Sequence, residues 1–186
     1  MVALLTAGLP AQIDAAPVRE IVVVVHVTND VPVSHGALTD AEQLATELYH
    51  AAGVRAVWTD GHSWTAQPDG AFHVDLVLLS RDPVTGRCQP DGITEQVFGT
   101  ATRANRRACV FYDRIYDHAR LTGSNVTRLL GAIIAHEVGH LLLPAFSHSS
   151  IGIMRAHWEG PIGHVPGFTA DQGMTIRTRL AAANAR

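Results

Sequence analysis

A long apolar helix that carries ionisable side chains limits the fold of this chain more than any other feature. The segment GSNVTRLLGAIIAHEVGHLLLP occupies residues 123–144, and its apolar residues recur every three or four positions, which is the pattern of a buried helix. Ser124 is expected to cap the N-terminus of this helix. Pro144 is expected to end it, because the proline ring clashes with the carbonyl four residues earlier. A helix of this kind has to be packed inside a layered domain.

The segments around this helix predict an α/β chain with a single sheet. Two further helices are expected, one from Thr39 to Gly53 and one that begins near Thr169. Each of the two threonines is followed three residues later by Glu42 or Gln172, which is the capping-box pattern. Apolar and β-branched stretches predict four strands and a short edge strand, at 19–27, 54–61, 72–80, 108–115 and 96–101 respectively. We therefore expect an α/β (α+β) fold whose mixed, twisted sheet packs to one side of the main helix.

Length and composition favour one globular domain. The chain has 186 residues, of which 47% are hydrophobic and 17% are charged, which is ordinary for a folded protein. Residues 1–18 are expected to be an N-terminal leader, either disordered or the remnant of a signal segment, and residues 19–186 the single domain. The net charge of −3 gives no reason to expect nucleic acid. No stretch approaches the ~20 apolar residues of a membrane-spanning helix.

Two cysteines leave the redox compartment open. Cys88 and Cys109 do not form a CxxC pair, so a cysteine zinc site is not indicated. They form either one disulfide outside the cytoplasm or two free thiols inside it.

The main helix carries a motif that predicts a metal site. His136 and His140 are four residues apart, so both imidazoles lie on one helix face and can reach one ion at the ~2.0–2.1 Å typical of zinc. Glu137 lies beside them as a candidate general base, in the arrangement HExxH. The alternative is a solvated polar face. The apolar flanks in AIIAHEVGHLLL argue against it, because unmatched polar rings are costly to bury.

A catalytic zinc site usually takes three protein ligands and keeps one position for water. His148, eight residues after His140, is the preferred third ligand, delivered on a turn after Pro144. Glu159 and His157 are the rivals. Glu159 would suit a second helix, but its context HWEGPIGHVPG is rich in helix breakers. His157 requires a longer excursion of the same loop.

With these residues identified, the segment from Ile133 to Met154 resembles the metzincin clan of zinc metallopeptidases, and within it the matrixins. The family pattern is HExxHxxGxxH followed by a methionine turn beneath the metal. The HEVGH segment at 136–140 matches the first half of this pattern, and the dipeptide that begins at His148 is similar to the third-ligand dipeptide of matrixins. Met154 is similar to the methionine of the turn. The resemblance implies a minimal metzincin-like catalytic domain with a Met-turn loop and a C-terminal helix.

This chain departs from the family pattern after the second histidine. The family glycine would fall at position 143 and the third histidine at position 146, where this chain has Leu143 and Phe146. The candidate ligand is thus displaced by two residues, and a proline replaces the glycine bend. This departure affects the expected geometry of the third metal ligand, His148, more than the identity of the first two, His136 and His140.

The expected function is that of a zinc-dependent metalloendopeptidase, in which Glu137 takes a proton from a Zn²⁺-activated water. The expected partner is a peptide or protein substrate of a monomeric enzyme. The resemblance implies that the edge strand at 96–101 aligns this substrate, and the alternative is an ordinary covered edge. The loop that carries Trp158 is expected to wall the pocket. The resemblance implies secretion or the cell envelope. The alternatives are a non-catalytic zinc-stabilised binding domain and a zinc amidohydrolase that acts on a non-peptide substrate.

Overall fold

Five strands and four helices make up the part of the chain that the computed structural model describes, namely residues 20–61, 70–80, 88, 97–158 and 162–183. The expected leader, most of the loop after β3 and Glu159 lie outside these residues. In chain order the elements are β1 (Val22–Asn29), α1 (His35–Ala51), β2 (Arg55–Asp60), β3 (Phe72–Leu79), β4 (Gly99–Thr102), β5 (Arg107–Phe111), α2 (Tyr112–Thr122), α3 (Val126–Leu142) and α4 (Ala170–Ala183).

The sheet is mixed, as the sequence predicts. Its strand order is β2-β1-β3-β5-β4. The first four strands in this order are parallel, and β4 runs antiparallel to β5 at the edge. The valines of β1 are buried on both faces of the sheet, and β3 lies in the middle. The predicted α/β class and the predicted edge strand are therefore confirmed, with β4 ending one residue later than expected.

The four helices bury their apolar residues in one core on one side of the sheet. This core includes Val25 of β1, Tyr49 of α1, Ile115 of α2, Ile134 of α3 and Ile176 of α4. A smaller cluster on the opposite face contains residues of β3 and β5 together with the disulfide between Cys88 and Cys109. Among the described residues, none of the helices is sufficiently long and apolar to cross a membrane.

The predicted start of α1 is wrong by about one turn. The helix begins at His35, and the hydroxyl of Ser34 accepts a hydrogen bond from the backbone N–H of Ala37 at 3.2 Å. Thr39 is already inside the helix, where its hydroxyl donates to the carbonyl of His35 at 2.9 Å. The capping box at Thr39 therefore does not form. The capping box at Thr169 does form, since its N–H and its hydroxyl both pair with Gln172.

Two boundaries near α3 also differ from the prediction. The strand expected at 108–115 ends at Phe111, and the chain continues directly into α2, which the sequence pattern did not predict. The N-cap of α3 is Asn125, whose side chain accepts from the N–H of Arg128 at 2.9 Å, rather than the predicted Ser124. The C-terminal end of α3 agrees with the prediction: Leu142 is the last helical residue and Leu143 is extended, since a proline disfavours helix at the residue before it.

Close packing against α1 fixes the position of α3. A Cβ atom at Gly131 would lie 2.6 Å from the carbonyl oxygen of Ala41, so the two helices approach each other at a glycine. One turn later, the buried hydroxyl of Tyr49 donates to the carbonyl of Ala135 at 2.8 Å. The next residue of α3 is His136. The motif side chains are thus held on a rigid, buried helix.

Candidate metal centre

Three histidine side chains converge in one cleft, two from α3 and one from the loop that follows it. The Nε2 atom of His140 lies 3.0 Å from that of His136 and 3.1 Å from that of His148. One ligand atom from each ring lies within 4.8 Å of the other two, and this is the one such group among the described residues. The structure therefore brings together the three predicted ligands, because the chain turns back after Pro144. His157 lines the same cleft but is outside the triad.

Hydrogen bonds orient the two helix-borne rings. The Nδ1 atom of His136 lies 2.8 Å from the carbonyl oxygen of Ile153. A carbonyl only accepts, so Nδ1 must carry the proton and the Nε2 atom of the neutral ring is a bare acceptor. The Nδ1 atom of His140 lies 3.1 Å from the hydroxyl of Ser147. Partners of this kind on the outer nitrogen are typical of metal-ligating histidines.

Burial keeps these imidazoles neutral. It lowers the pKa of His136 to about 4, against an opposing effect of the hydrogen bond to Ile153. Burial, followed by the neighbouring His136 and His148, lowers the pKa of His140 to about 3. The pKa of the more exposed His148 is also lowered, first by burial and then by His157. The three imidazoles can therefore bind a metal ion near neutral pH without first releasing a proton.

The donor set fits a metal ion. The facing ring nitrogens, at 3.0 and 3.1 Å, can share at most one proton between them, because the bare Nε2 of His136 can only accept and Nε2 of His140 can carry a single proton. A cation among them resolves this. Three imidazoles with room for a fourth ligand are the donor set of catalytic zinc, and imidazole suits zinc among the common metals.

Anchored backbone delivers His148 to the site. The guanidinium of Arg103 donates to the carbonyl of Leu143 at 3.0 and 3.2 Å and to that of Pro144 at 2.5 Å. These bonds hold the chain where it leaves α3. Immediately after the triad, the N–H of Ser149 donates to the carbonyl of Met154 at 2.9 Å. The segment between the two anchors is short, so the position of His148 is well defined.

Met154 lies beneath α3. Its side chain is fully buried, and a Cβ atom at Gly139 would lie 2.8 Å from its sulfur. The loop that carries it is tied to the neighbouring backbone by the N–H of Ile153, which donates to Gly167, and to α4 by Gln172, which donates to the hydroxyl of Ser149. The methionine thus supports the helix segment between the two histidines.

Glu137 is the buried acid of the site. Only 6% of its surface is exposed, and burial raises the pKa of its carboxyl to about 8. A Cβ atom at Gly99 would lie 2.5 Å from its Cγ and 2.7 Å from the backbone carbonyl of Cys109. The first residue of β4 therefore has to be small for the carboxyl to occupy its position. This contact places the acid of the motif directly against the edge strand.

An open cleft with a volume of about 930 Å³ contains the triad and Glu137. Residues 97–101 of β4 and the segment before it form one wall, and α2 contributes Arg114 and His118. Trp158 lines the cleft as predicted, with its ring centroid 6.4 Å from that of His136.

Sequence reasoning missed the residues that support the site. Gly99 carried a usable signal, because a glycine inside a strand pattern often marks a close backbone approach. Ser147 is adjacent to a candidate ligand, but its contact crosses back to His140. Arg103 gave no signal, since its partners are backbone carbonyls 40 and 41 residues away.

Comparison with known proteins gives only distant likenesses. The chain matches no described family, and no curated protein matches it. It is similar to a zinc-dependent peptidase from Methanocorpusculum labreanum, with 13% identity and a TM-score of 0.44 over 85% of this chain and 99% of that one. It is also similar to archaemetzincin from Methanopyrus kandleri, with 15% identity and a TM-score of 0.49 over 87% of this chain and 96% of that one. At these values the chemistry has to be argued from the residues of the site.

Proposed function

We propose that this chain is a zinc-dependent endopeptidase, with Zn²⁺ held by His136, His140 and His148. The observation that carries the proposal is that three imidazole Nε2 atoms converge beside a buried carboxyl in an open cleft. The Nε2 atom of His140 lies 3.0 Å from that of His136 and 3.1 Å from that of His148. A purely structural zinc site is usually closed by four protein ligands. Here the described residues supply three, which leaves a position for water or substrate.

Glu137 is the proposed general base. When bound, zinc would supply a water of lowered pKa, ~7 instead of 15.7, and would polarise the scissile carbonyl. The carboxylate of Glu137 would take the proton of that water and return it to the leaving nitrogen. Its burial suits both transfers, because a carboxyl whose pKa is raised to about 8 in the metal-free chain holds a proton strongly.

Strand β4 is the proposed substrate guide. It pairs with β5 on one side only, at the end of the sheet, and its residues line the cleft. An exposed edge offers unpaired N–H and C=O groups to an extended peptide. The contact between Gly99 and Glu137 would bring that peptide past the general base.

Further features support the metzincin-like interpretation and an extracytoplasmic location. Met154 is buried against Gly139 beneath the triad, as the proposed Met-turn requires. The disulfide between Cys88 and Cys109 is a bond that persists in oxidising compartments, in keeping with secretion or the cell envelope.

Digestion of a broad peptide library tests the proposal. The zinc-loaded protein should cleave internal peptide bonds, and a chelator should abolish cleavage. Glu137→Gln should keep zinc and reduce kcat by at least about a hundredfold, because general-base catalysis contributes about 10²–10⁴-fold. His136→Ala should lose both zinc and activity. Stoichiometric zinc without any cleavage would identify a non-catalytic zinc domain, and wild-type cleavage by Glu137→Gln would remove this residue from its role.

The third ligand needs its own measurement. His148→Ala should lower zinc affinity by a large factor, whereas His157→Ala should leave it within about twofold, since only His148 belongs to the triad. Zinc content after dialysis against a weak chelator compares the two variants directly. Full occupancy in His148→Ala would exclude this residue as a ligand.

A further inference from the structure

Phe146 combines two unfavourable features at the rim of the cleft. Its side chain is 100% exposed, although phenylalanine is usually buried. Its φ angle is +59°, a left-handed backbone conformation that is rare for bulky residues. A fully exposed ring gains no stability from burial among the described residues. Such outliers cluster at sites where a ligand or a mechanism requires them.

The surrounding backbone holds Phe146 in this conformation. Arg103 donates hydrogen bonds to the carbonyls of Leu143 and Pro144, just before the turn that contains Phe146. Two residues later, His148 belongs to the triad. The turn is thus held by Arg103 at its start and leads directly into the triad at its end.

Phe146 lines the same cleft as the triad and Glu137. It follows the C-terminal end of α3. Leu121, another apolar side chain of this cleft, is 87% exposed and precedes the N-terminal end of α3. The cleft wall thus presents two exposed apolar side chains to water, and pockets that bind ligands are lined mainly by apolar and aromatic side chains.

We propose that Phe146 is a specificity-determining residue that contacts a large apolar side chain of the peptide substrate, close to the metal centre. The inference rests on the proposed peptidase function and narrows its substrate class to peptides with a large aliphatic or aromatic residue at one fixed position relative to the scissile bond. Contact with such a side chain removes the ring from water. Arg103 holds the backbone before this turn in the absence of substrate, so little ordering of that backbone is required on binding.

Substitutions that tolerate a left-handed backbone test this proposal without damaging the fold. Phe146→Asn and Phe146→Gly both accept a positive φ, so both variants should fold with wild-type stability or better. Met174→Ala is the matched control, because Met174 is also apolar and 55% exposed but lies on α4 and does not line the cleft. Zinc content and the urea midpoint are measured for every variant.

The substrates are peptides that differ only by Leu, Phe or Asn at one position, scanned across the cleavage site. For the wild type, kcat/KM should be at least about tenfold higher with Leu or Phe at one position, a ratio typical of an apolar subsite. Both Phe146 variants should lose this preference, because kcat/KM for the Leu and Phe peptides falls towards the value for the Asn peptide. Met174→Ala should keep the preference.

Unchanged selectivity in both Phe146 variants would overturn the inference and leave the peptidase function standing. So would a change of oligomeric state in place of selectivity, which would make the ring part of a contact between copies. If the zinc-loaded wild type cleaves nothing, the peptidase proposal fails, and the affinities of the same peptides, now labelled, decide the role of Phe146. Tighter binding of the Leu and Phe peptides that both Phe146 variants lose would support a role of this residue in recognition. Equal binding of all peptides by the wild type would overturn that role.

Discussion

Glu137 holds a proton at neutral pH in the metal-free chain, because burial raises the pKa of its carboxyl to about 8. The neighbouring His136 and His140 are already neutral, with pKa values of about 4 and about 3. Positive charge in the triad would favour the ionised form of the carboxyl. We therefore expect the proton that the protein releases on zinc binding to come from the glutamate rather than from the ligands.

The first prediction is that, at about pH 7, the wild type releases about one proton more than Glu137→Gln on binding zinc. Calorimetric titration with zinc in buffers of different ionisation enthalpy measures this difference. At about pH 9 the carboxyl is already ionised in most metal-free molecules, and the difference should largely disappear. Equal proton release by the two proteins at both pH values would mean that Glu137 does not ionise with the metal.

The second prediction concerns Gly99. A Cβ at this position would lie 2.5 Å from Cγ of Glu137 and 2.7 Å from the carbonyl of Cys109, which the sheet holds in place. We expect Gly99→Ala to destabilise the protein by about 1–3 kcal/mol, the usual effect of overpacking. Because the carboxyl is displaced, activity should fall at least about tenfold. The triad is untouched, so zinc should still bind.

Gly36→Ala is the control for this substitution. A Cβ at Gly36 has nothing within 4 Å, and the residue lies in α1, where alanine is preferred to glycine by up to about 1 kcal/mol. Stability and activity should therefore be unchanged or slightly improved. Urea unfolding and peptide hydrolysis are compared for both variants. Wild-type activity in Gly99→Ala would show that the position of Glu137 does not depend on this contact.

At the scale of single elements, the start of α1 gives a third prediction. Ser34 caps the helix with its hydroxyl, so Ser34→Ala should cost about 0.5–2 kcal/mol of stability. Thr39→Ala should cost little, because Thr39 lies inside the helix and its hydroxyl donates to the carbonyl of His35, a bond that adds nothing to helix stability. The urea midpoints of the two variants show which residue caps helix α1. A larger loss of stability from Thr39→Ala than from Ser34→Ala would support the helix start at Thr39 that the sequence predicts.

The two candidate starts show what sequence pattern alone can decide. Ser34 and Thr39 are both good N-cap residues, and Thr39 is favoured by a glutamate three residues later. The residues between them, HGAL, contain a glycine and look like loop. The structure extends the helix through them because Leu38 packs against the core. Tertiary packing thus overrides a local capping signal, which is a weak preference of about 1 kcal/mol.

Helix α2 was missed for a different reason. Strand β5 runs into it without a turn residue, and the N-cap position, Phe111, makes no side-chain capping bond. Its buried residues are only Ile115 and Ala119, too few for a clear helical period. The motif helix, in contrast, was predictable because its apolar pattern spans the whole element. The convergence of His136, His140 and His148 followed from helix geometry and the proline stop, whereas the contacts of Gly99 and Arg103 depend on long-range packing.

At the scale of the whole molecule, the ionisable groups with shifted pKa values oppose each other in their effect on stability. Four histidines, namely His73, His136, His140 and His148, have pKa values lowered by burial and by neighbouring charges. Each favours the folded state above its ordinary pKa of 6.5, and this stabilisation is lost as the pH falls, because the unfolded chain binds the proton more readily. Glu137 has the opposite effect, because it stabilises the folded state at low pH rather than at high pH. Its folded pKa of about 8 exceeds its ordinary 4.5, so its contribution is lost as the pH rises between these values.

The fourth prediction is that the metal-free protein has its highest free energy of unfolding near pH 6.5. Below this value, several histidine effects outweigh one glutamate, and stability should fall on acidification. Above it the slope from the histidines fades, and Glu137 should make stability decline towards pH 8. Urea unfolding in the presence of a chelator, between about pH 4.5 and 8, measures the profile.

Glu137→Gln should lose the decline in stability above pH 6.5 and keep the decline below it, whereas His73→Gln should reduce only the decline on acidification. A wild-type profile that keeps rising to pH 8 would mean that Glu137 is solvated in the metal-free fold, and the buried site described here would then form only around its ion.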